Sequence, residues 1–212
     1  MAKLGRFITF EGGEGTGKST QVKRLAAALE ARKIAAVVTR EPGGSPGAEE
    51  IRSLVLKGDP ARWNPLTEAL LFFAARADHT DRTIKPALAA GKWVICDRYS
   101  DSSYAYQGGG RGLNRETVRR IEAIAIEDFK PELTLILDLP VEIGLKRSIS
   151  RQGNTETRFE EMDVAFHERM RKSFLDIARR NPDRCIVISA DQDVDAVADA
   201  VLATVKQRFR LK

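Results

Sequence analysis

The chain has 212 residues, a net charge of +5 and a pI near 9.3. Its length suits one α/β domain with a buried core. Its longest apolar run is too short to span a bilayer, and no signal peptide is apparent; we expect a soluble cytoplasmic protein. Positive charge is dispersed among acidic residues without a basic tail, which argues against nucleic-acid binding. The 23 arginines outnumber the 12 lysines, and guanidinium groups suit phosphate oxygens. Codon bias and solvated helix faces are the alternative explanation for many of these arginines.

The strongest local signal lies near the N-terminus. Phe7 to Phe10 is a short β-type run, four glycines follow it, and an apolar helical face begins after Ser19. Residues 12 to 19 match G-x-x-x-x-G-K-[ST], the pattern of a phosphate-binding P-loop. In such a loop backbone N–H groups surround the phosphates, Lys18 reaches the terminal ones and the Ser19 hydroxyl ligates Mg²⁺. The predicted ATP-binding residues are Gly12, Gly13, Glu14, Gly15, Thr16, Gly17, Lys18, Ser19 and Thr20.

Five β-like runs alternate with helical stretches along the chain. They are Phe7–Phe10, Ala35–Thr39, Trp93–Cys96, Leu133–Leu137 and Cys185–Ser189. This alternation predicts an α/β fold with a five-stranded parallel sheet flanked by helices, in a single domain covering residues 1–212. In such a sheet ligands bind at the carboxyl ends of the strands. The two cysteines lie in these runs, and we expect them to be buried thiols.

One segment interrupts the pattern of two helices. Residues 151–157 contain turn-forming residues and no apolar residue. We interpret the surrounding stretch, residues 147–160, as a lid over the bound nucleotide. A passive surface loop is the alternative.

A P-loop alone does not separate a kinase from a GTPase or a motor ATPase, but the chain has no N-K-x-D motif for reading guanine. The chain resembles the thymidylate kinase family over essentially its whole length. Beyond the P-loop, the motifs that carry this resemblance are Thr39–Gly44, Glu50–Arg52, Leu71–Arg76, Cys96–Tyr99, Asp101–Gln107 and Arg158–Glu160. The resemblance implies a P-loop kinase that uses ATP and Mg²⁺ to phosphorylate dTMP, and it implies a homodimer. Kinases acting on dUMP or AMP, and a nucleotide-binding switch, remain alternatives.

The chemistry of this reaction calls for cations. The acceptor is itself a phosphate, largely dianionic at pH 7, so the protein must hold two anionic groups in line and stabilise the transferred charge. The resemblance implies that Arg98 and Arg40 bind the acceptor phosphate, that Arg52 orients it, and that Asp97 supports Mg²⁺ or its waters together with the P-loop serine. By pattern alone, Asp138 at the end of another apolar run is an equal candidate for the Asp97 role.

The same resemblance implies a base pocket. Phe72 would lie against the thymine, Arg76 would donate to a base carbonyl, and Ser103 and Gln107 would contact the polar edge of the base. Tyr106 would pack where a ribose 2′-hydroxyl would lie and so favour deoxynucleotides. Phe72 and Tyr106 could instead be ordinary core aromatics.

One position departs from part of the family. Glu14 resembles the acid that approaches the sugar 3′-hydroxyl of the acceptor, but Gly15 stands where some members have an arginine. The missing cation would then come from the lid, where Arg147, Arg151 and Arg158 are available. We predict that Arg151 is catalytic, alongside Lys18, Arg98 and Asp97. Neither His79 nor His167 lies in a motif, and we expect both to be structural or surface residues.

Overall fold

The computed structural model describes residues 5–150 and 157–211. Its strands are β1 Phe7–Glu11, β2 Ala36–Arg40, β3 Trp93–Asp97, β4 Leu133–Asp138 and β5 Cys185–Ser189. They form a parallel sheet in the order β2-β3-β1-β4-β5. Each predicted strand is present within one residue of its predicted ends, and the predicted α/β fold is confirmed.

Helices connect the strands and cover both faces of the sheet. They are α1 Lys18–Glu30, α2 Pro46–Val55, α3 Pro65–His79, α4 Lys85–Ala89, α5 Ser100–Ser103, α6 Arg115–Ile126, α7 Val141–Ile149, α8 Val164–Arg180 and α9 Val194–Phe209. Several begin at side chains that accept a backbone N–H, such as Asn64 before α3 and Asp163 before α8. None of these helices combines the length and apolar character needed to cross a membrane.

The central strands β1 and β4 are almost completely buried. Alternate residues of β4 face opposite layers: Leu135 packs with α1 and α9, whereas Ile136 packs with α8. This double coverage explains why the strand sequences are apolar without alternation. Cys96 and Cys185 are buried free thiols, as predicted.

The register of the sheet brings the site together. Phe10 of β1 pairs with Asp97 of β3, and Glu11 pairs with Ile136 of β4. The carboxyl ends of these three strands therefore meet at one edge, where the segment between β1 and α1 begins.

Candidate active site

The loop between β1 and α1 has the backbone of a phosphate cradle. Gly12, Gly15 and Gly17 have φ angles of +132°, +67° and +87°, which residues with a Cβ rarely adopt. A Cβ on Gly12 would lie 2.3 Å from the carbonyl oxygen of Leu137, so β4 also requires glycine there. The loop ends at the N-terminus of α1, where free N–H groups favour an anion.

Lys18 folds back over this loop. Its Nζ donates to the carbonyl oxygens of Gly13 at 2.6 Å and Gly12 at 3.2 Å, and the side chain is buried. Burial, with Arg98 nearby, lowers the pKa of Lys18 to about 8, although Glu14 opposes this shift. The amine is therefore poised to gain from an anionic partner.

Ser19 and Asp97 lie in direct contact. The Ser19 hydroxyl donates to Oδ2 of Asp97 at 2.5 Å, so the two predicted Mg²⁺ ligands are adjacent. Asp138, the alternative acid, instead accepts two bonds from Arg171 at 2.8 and 3.0 Å. The Ser19–Asp97 pair supplies the oxygen donors that Mg²⁺ prefers, and the residues present therefore fit this ion.

Arg98 joins the loop to the opposite wall of the cleft. Its guanidinium donates to both carboxylate oxygens of Glu14 at 3.2 Å and to the Gly12 carbonyl at 2.9 Å, and it lies 4.9 Å from the centre of the Tyr106 ring. The Tyr106 hydroxyl donates to Glu14. Burial alone would raise the pKa of Glu14, but Arg98 and Lys18 outweigh it and lower that pKa to about 2.

Arg40 and Arg52 line the same cleft as the P-loop and Arg98, a space of about 350 Å³. Arg40 is exposed and pairs with Glu49 at 3.2 Å. Arg52 donates to the carbonyl oxygen of Pro42 at 2.6 Å, next to a cis Glu41–Pro42 bond. The structure thus brings four of the predicted cations, these two with Lys18 and Arg98, to one space.

Arg76 and Ser103 are brought together in the interior. The fully buried Arg76 donates to Oγ of Ser103 at 2.9 Å and to Glu41 at 2.7 Å. Glu41 also contacts the ring of His79 at 3.0 Å, and His79 is fully buried. Sequence reasoning missed Glu41, although it lies inside the Thr39–Gly44 motif that was singled out.

Gln107 belongs to a second buried network. Its side-chain amide donates to Glu68 at 2.9 Å, and Glu68 pairs with Arg158 at 2.6 Å. Glu68 was not anticipated, since nothing local in the sequence marks it. Arg158 also donates to three backbone carbonyls of residues 55–60. It therefore holds that segment in place, and its charge is already paired with Glu68.

The aromatic candidates lie near one another. Phe72 is half-buried, with its ring 6.0 Å from that of Phe159, and Tyr106 meets Phe159 edge-on at 5.2 Å. Tyr106 is buried among α8 aromatics as well. Both the base-pocket role and the core role are therefore compatible with their positions.

Of the three lid arginines, two lie in the described part of the chain. Arg147 is exposed and contacts the carbonyl oxygen of Ala190 at 3.3 Å, and Arg158 is buried in the network above. Arg151 lies outside the described residues, as do residues 152–156 of the predicted lid, and its catalytic role stays a prediction.

Glu11 directly precedes the P-loop and holds the segment after Arg98. It accepts bonds from the backbone N–H of Tyr99 at 2.8 Å and from the Ser102 hydroxyl at 2.6 Å. Burial, together with Asp101, raises its pKa to about 8, while the bond from Ser102 opposes that shift. Glu11 thus connects the end of β1 to the segment that follows β3, and it does not line the cleft.

A P-loop at β1, an acid at the end of β3 and an arginine-lined cleft on a β2-β3-β1-β4-β5 sheet define a P-loop kinase of the nucleoside monophosphate type. The thymidylate kinase family model matches residues 10–201. The chain is 53% identical to the thymidylate kinase of Caulobacter vibrioides, covering 98% of this chain and 99% of that protein, and 53% identical to that of Nitrobacter hamburgensis, covering 96% and 89%. The crystal structure of thymidylate kinase from Ehrlichia chaffeensis superposes with a TM-score of 0.78 at 35% identity, covering 96% of this chain and 99% of that one. The chain belongs to the thymidylate kinase family.

Proposed function

We propose that this chain transfers the γ-phosphoryl group of ATP to dTMP, giving ADP and dTDP, a step of dTTP biosynthesis. Family membership supports the reaction. One observation carries the division of labour within the cleft: Ser19 of the P-loop touches Asp97 of β3, while the adjacent Arg98 reaches Glu14. The acid of the donor site and the arginine of the acceptor site are therefore consecutive residues, Asp97 and Arg98, that line one cleft.

The donor half consists of the P-loop, the amine of Lys18 and the Mg²⁺ site. The backbone N–H groups of residues 13–19 and the amine of Lys18 bind the ATP phosphates, because they are the positive groups closest to the helix terminus. Mg²⁺, held by Ser19 and Asp97 or through their waters, supplies neutralising charge to the phosphate oxygens when bound.

The acceptor half is assigned to the arginines across the cleft. Arg98 binds the dTMP phosphate, assisted by Arg40 and Arg52, and no general base is needed because that phosphate is already largely ionised. Glu14, held ionised by Arg98, already accepts bonds from Arg98 and Tyr106, and the remaining lone pairs of its carboxylate accept a bond from the sugar 3′-hydroxyl. These roles hold the two anions close together and in line for transfer.

The base pocket is formed by the buried polar residues around Arg76. Arg76 uses three N–H groups on protein acceptors, and a guanidinium has five, so donors remain for a base carbonyl. Phe72 lies against the base, Ser103 and Gln107 contact its polar edge, and Tyr106 packs beside the sugar.

We further propose that the enzyme is a cytoplasmic homodimer of single-domain chains with a lid at residues 147–160. On α3, Leu66 and Leu70 are one turn apart and 46% and 50% exposed, and Leu54 of α2, which packs against α3, is 41% exposed. Such neighbouring exposed apolar residues suit a second copy of the same surface. Light scattering should give twice the chain mass of 23.5 kDa, reduced to one chain mass by Leu70→Glu but not by the matched control Val194→Glu.

The catalytic proposal is tested by a coupled assay of ADP release with dTMP, dUMP, AMP or no acceptor. We expect turnover that depends on the acceptor and is fastest with dTMP. Faster turnover with AMP or dUMP would indicate a kinase of another monophosphate. ADP release that ignores the acceptor would indicate a nucleotide-binding switch.

A further inference from the structure

Two glycines bring helix α7 into direct contact with the P-loop. A Cβ on Gly15 would lie 1.9 Å from the carbonyl oxygen of Gly144, and a Cβ on Gly144 would lie 2.5 Å from the carbonyl oxygen of Glu14. Carbon and oxygen atoms do not approach within 3.0 Å in this way. Neither position can therefore carry a side chain while the helix and the loop keep their present separation.

The contact explains the absence of an arginine after Glu14. Any side chain at position 15 would enter the backbone of α7, and its φ of +67° is also unfavourable for a residue with a Cβ. The glycine at position 15 and the position of α7 thus require each other.

The need for glycine at position 144 does not come from helix α7 itself. It lies in the middle of Val141–Ile149, where glycine is among the least favourable residues and alanine is the most favourable. Gly144 is buried where α7 packs against the P-loop. The requirement comes from the Glu14 carbonyl rather than from helix formation.

The geometry of the peptide group connects this contact to the phosphate cradle. In a trans peptide the C=O and N–H of one plane point in opposite directions. Because the Glu14 carbonyl faces α7, the N–H of the same peptide, which belongs to Gly15, points away from α7. Gly15 lines the cleft together with Lys18 and Ser19, so this N–H is directed at the side where the phosphates bind.

We propose that Gly144 is a positioning residue for ATP: it lets the backbone of α7 rest on the Glu14–Gly15 peptide and thereby fixes the Gly15 N–H in the donor site. This inference rests on the proposed function, since it assigns the loop to ATP rather than to dTMP. Alanine at position 144 must displace the Glu14 carbonyl or α7 by at least 0.5 Å. Misplacement of about 1 Å in a positioned site can lower a rate by about 100-fold, so we expect a roughly tenfold effect from this smaller displacement.

The experiment compares Gly144→Ala with wild type and with Glu142→Ala, an exposed substitution two residues away on the same helix. Calorimetry measures the Kd of ADP and of dTMP, steady-state kinetics give kcat and KM for ATP, and a thermal melt reports folding. For Gly144→Ala we expect a roughly tenfold loss in ADP affinity and in kcat/KM for ATP. The loss in dTMP affinity should be several times smaller, and Glu142→Ala should match wild type.

Three results would overturn the proposal. ADP affinity and ATP kinetics within twofold of wild type would show that the contact does not orient the loop. An equal loss of ADP and dTMP binding, or a failure of Gly144→Ala to fold, would make the contact a general packing requirement. A wild-type enzyme without dTMP-dependent turnover would refute the proposed function instead, and this outcome is read from the wild-type arm alone.

Discussion

Replacement of Arg98 by alanine should damage both stability and acceptor use. In the structure Arg98 is the main cation paired with Glu14, and both side chains are 16% exposed. The pKa of Glu14 is lowered from 4.5 to about 2, which at 1.36 kcal/mol per unit corresponds to at most about 3 kcal/mol of stability. Loss of one partner from a buried pair costs about 3–5 kcal/mol in other proteins. Because Lys18 and Tyr106 also lower this pKa and both paired side chains keep some exposure to water, we expect less than these values: Arg98→Ala should lower stability by about 2–3 kcal/mol and Tm by about 4–12 °C.

The sign of the pH dependence gives a further check. Since the folded-state pKa of Glu14 lies below its ordinary value, this stability is present above pH 4.5 and is lost as the pH falls towards 2. The difference in stability between wild type and Arg98→Ala should therefore be largest near neutral pH and shrink in acid.

Arg98→Ala should also lose activity with dTMP, whereas Arg40→Ala serves as the control for stability. Loss of a cation that meets the acceptor phosphate should lower kcat/KM for dTMP by about 10²–10³-fold. Arg40→Ala removes a pair whose side chains are 55% and 43% exposed, so its effect on stability should stay below about 1 kcal/mol. If Arg98→Ala melted within 1 °C of wild type, or kept its efficiency with dTMP within about tenfold, the assigned role of Arg98 would be wrong.

Three further predictions concern other parts of the site. Arg151→Ala should reduce kcat or raise KM for ATP, and values near wild type for both would remove Arg151 from catalysis. Arg76→Ala should weaken dTMP use far more than ATP use, because its guanidinium lies with Ser103 away from the P-loop; equal weakening would contradict base reading. ATP affinity should fall as pH rises above 8, because Lys18, with a pKa of about 8, loses its proton. Calorimetry in two buffers of different ionisation enthalpy should then show proton uptake on ATP binding at pH 8, and its absence would contradict the role of Lys18.

Much of the fold could be predicted because its signals are local. The glycine pattern of residues 12–19, the apolar strands and the polar residues that follow them all depend on short-range geometry, and parallel strands place their carboxyl ends at one edge. Local geometry also predicts an acid near Ser19, but it offers Asp97 and Asp138 equally, and only the family resemblance favours Asp97.

The networks behind the site could not be predicted because their partners are distant in sequence. Glu68 and Arg158 are 90 residues apart, and no local pattern distinguishes their buried pair from two solvated charges. The same holds for Gly144, whose contact with Gly15 depends on how closely α7 approaches the loop. By pattern alone Asp138 equalled Asp97, and the structure separates them: Ser19 donates to Asp97, whereas Asp138 pairs with Arg171.

Isotopic labelling shows directly where the γ-phosphoryl group of ATP goes. Wild-type enzyme is incubated with Mg²⁺, dTMP and ATP labelled in the γ-phosphoryl group, and the nucleotides are separated. We expect the label to appear in dTDP, with almost none released as inorganic phosphate and none transferred when dTMP is omitted. Label released as phosphate at a rate independent of dTMP would show that this cleft does not hold ATP and dTMP together for phosphoryl transfer.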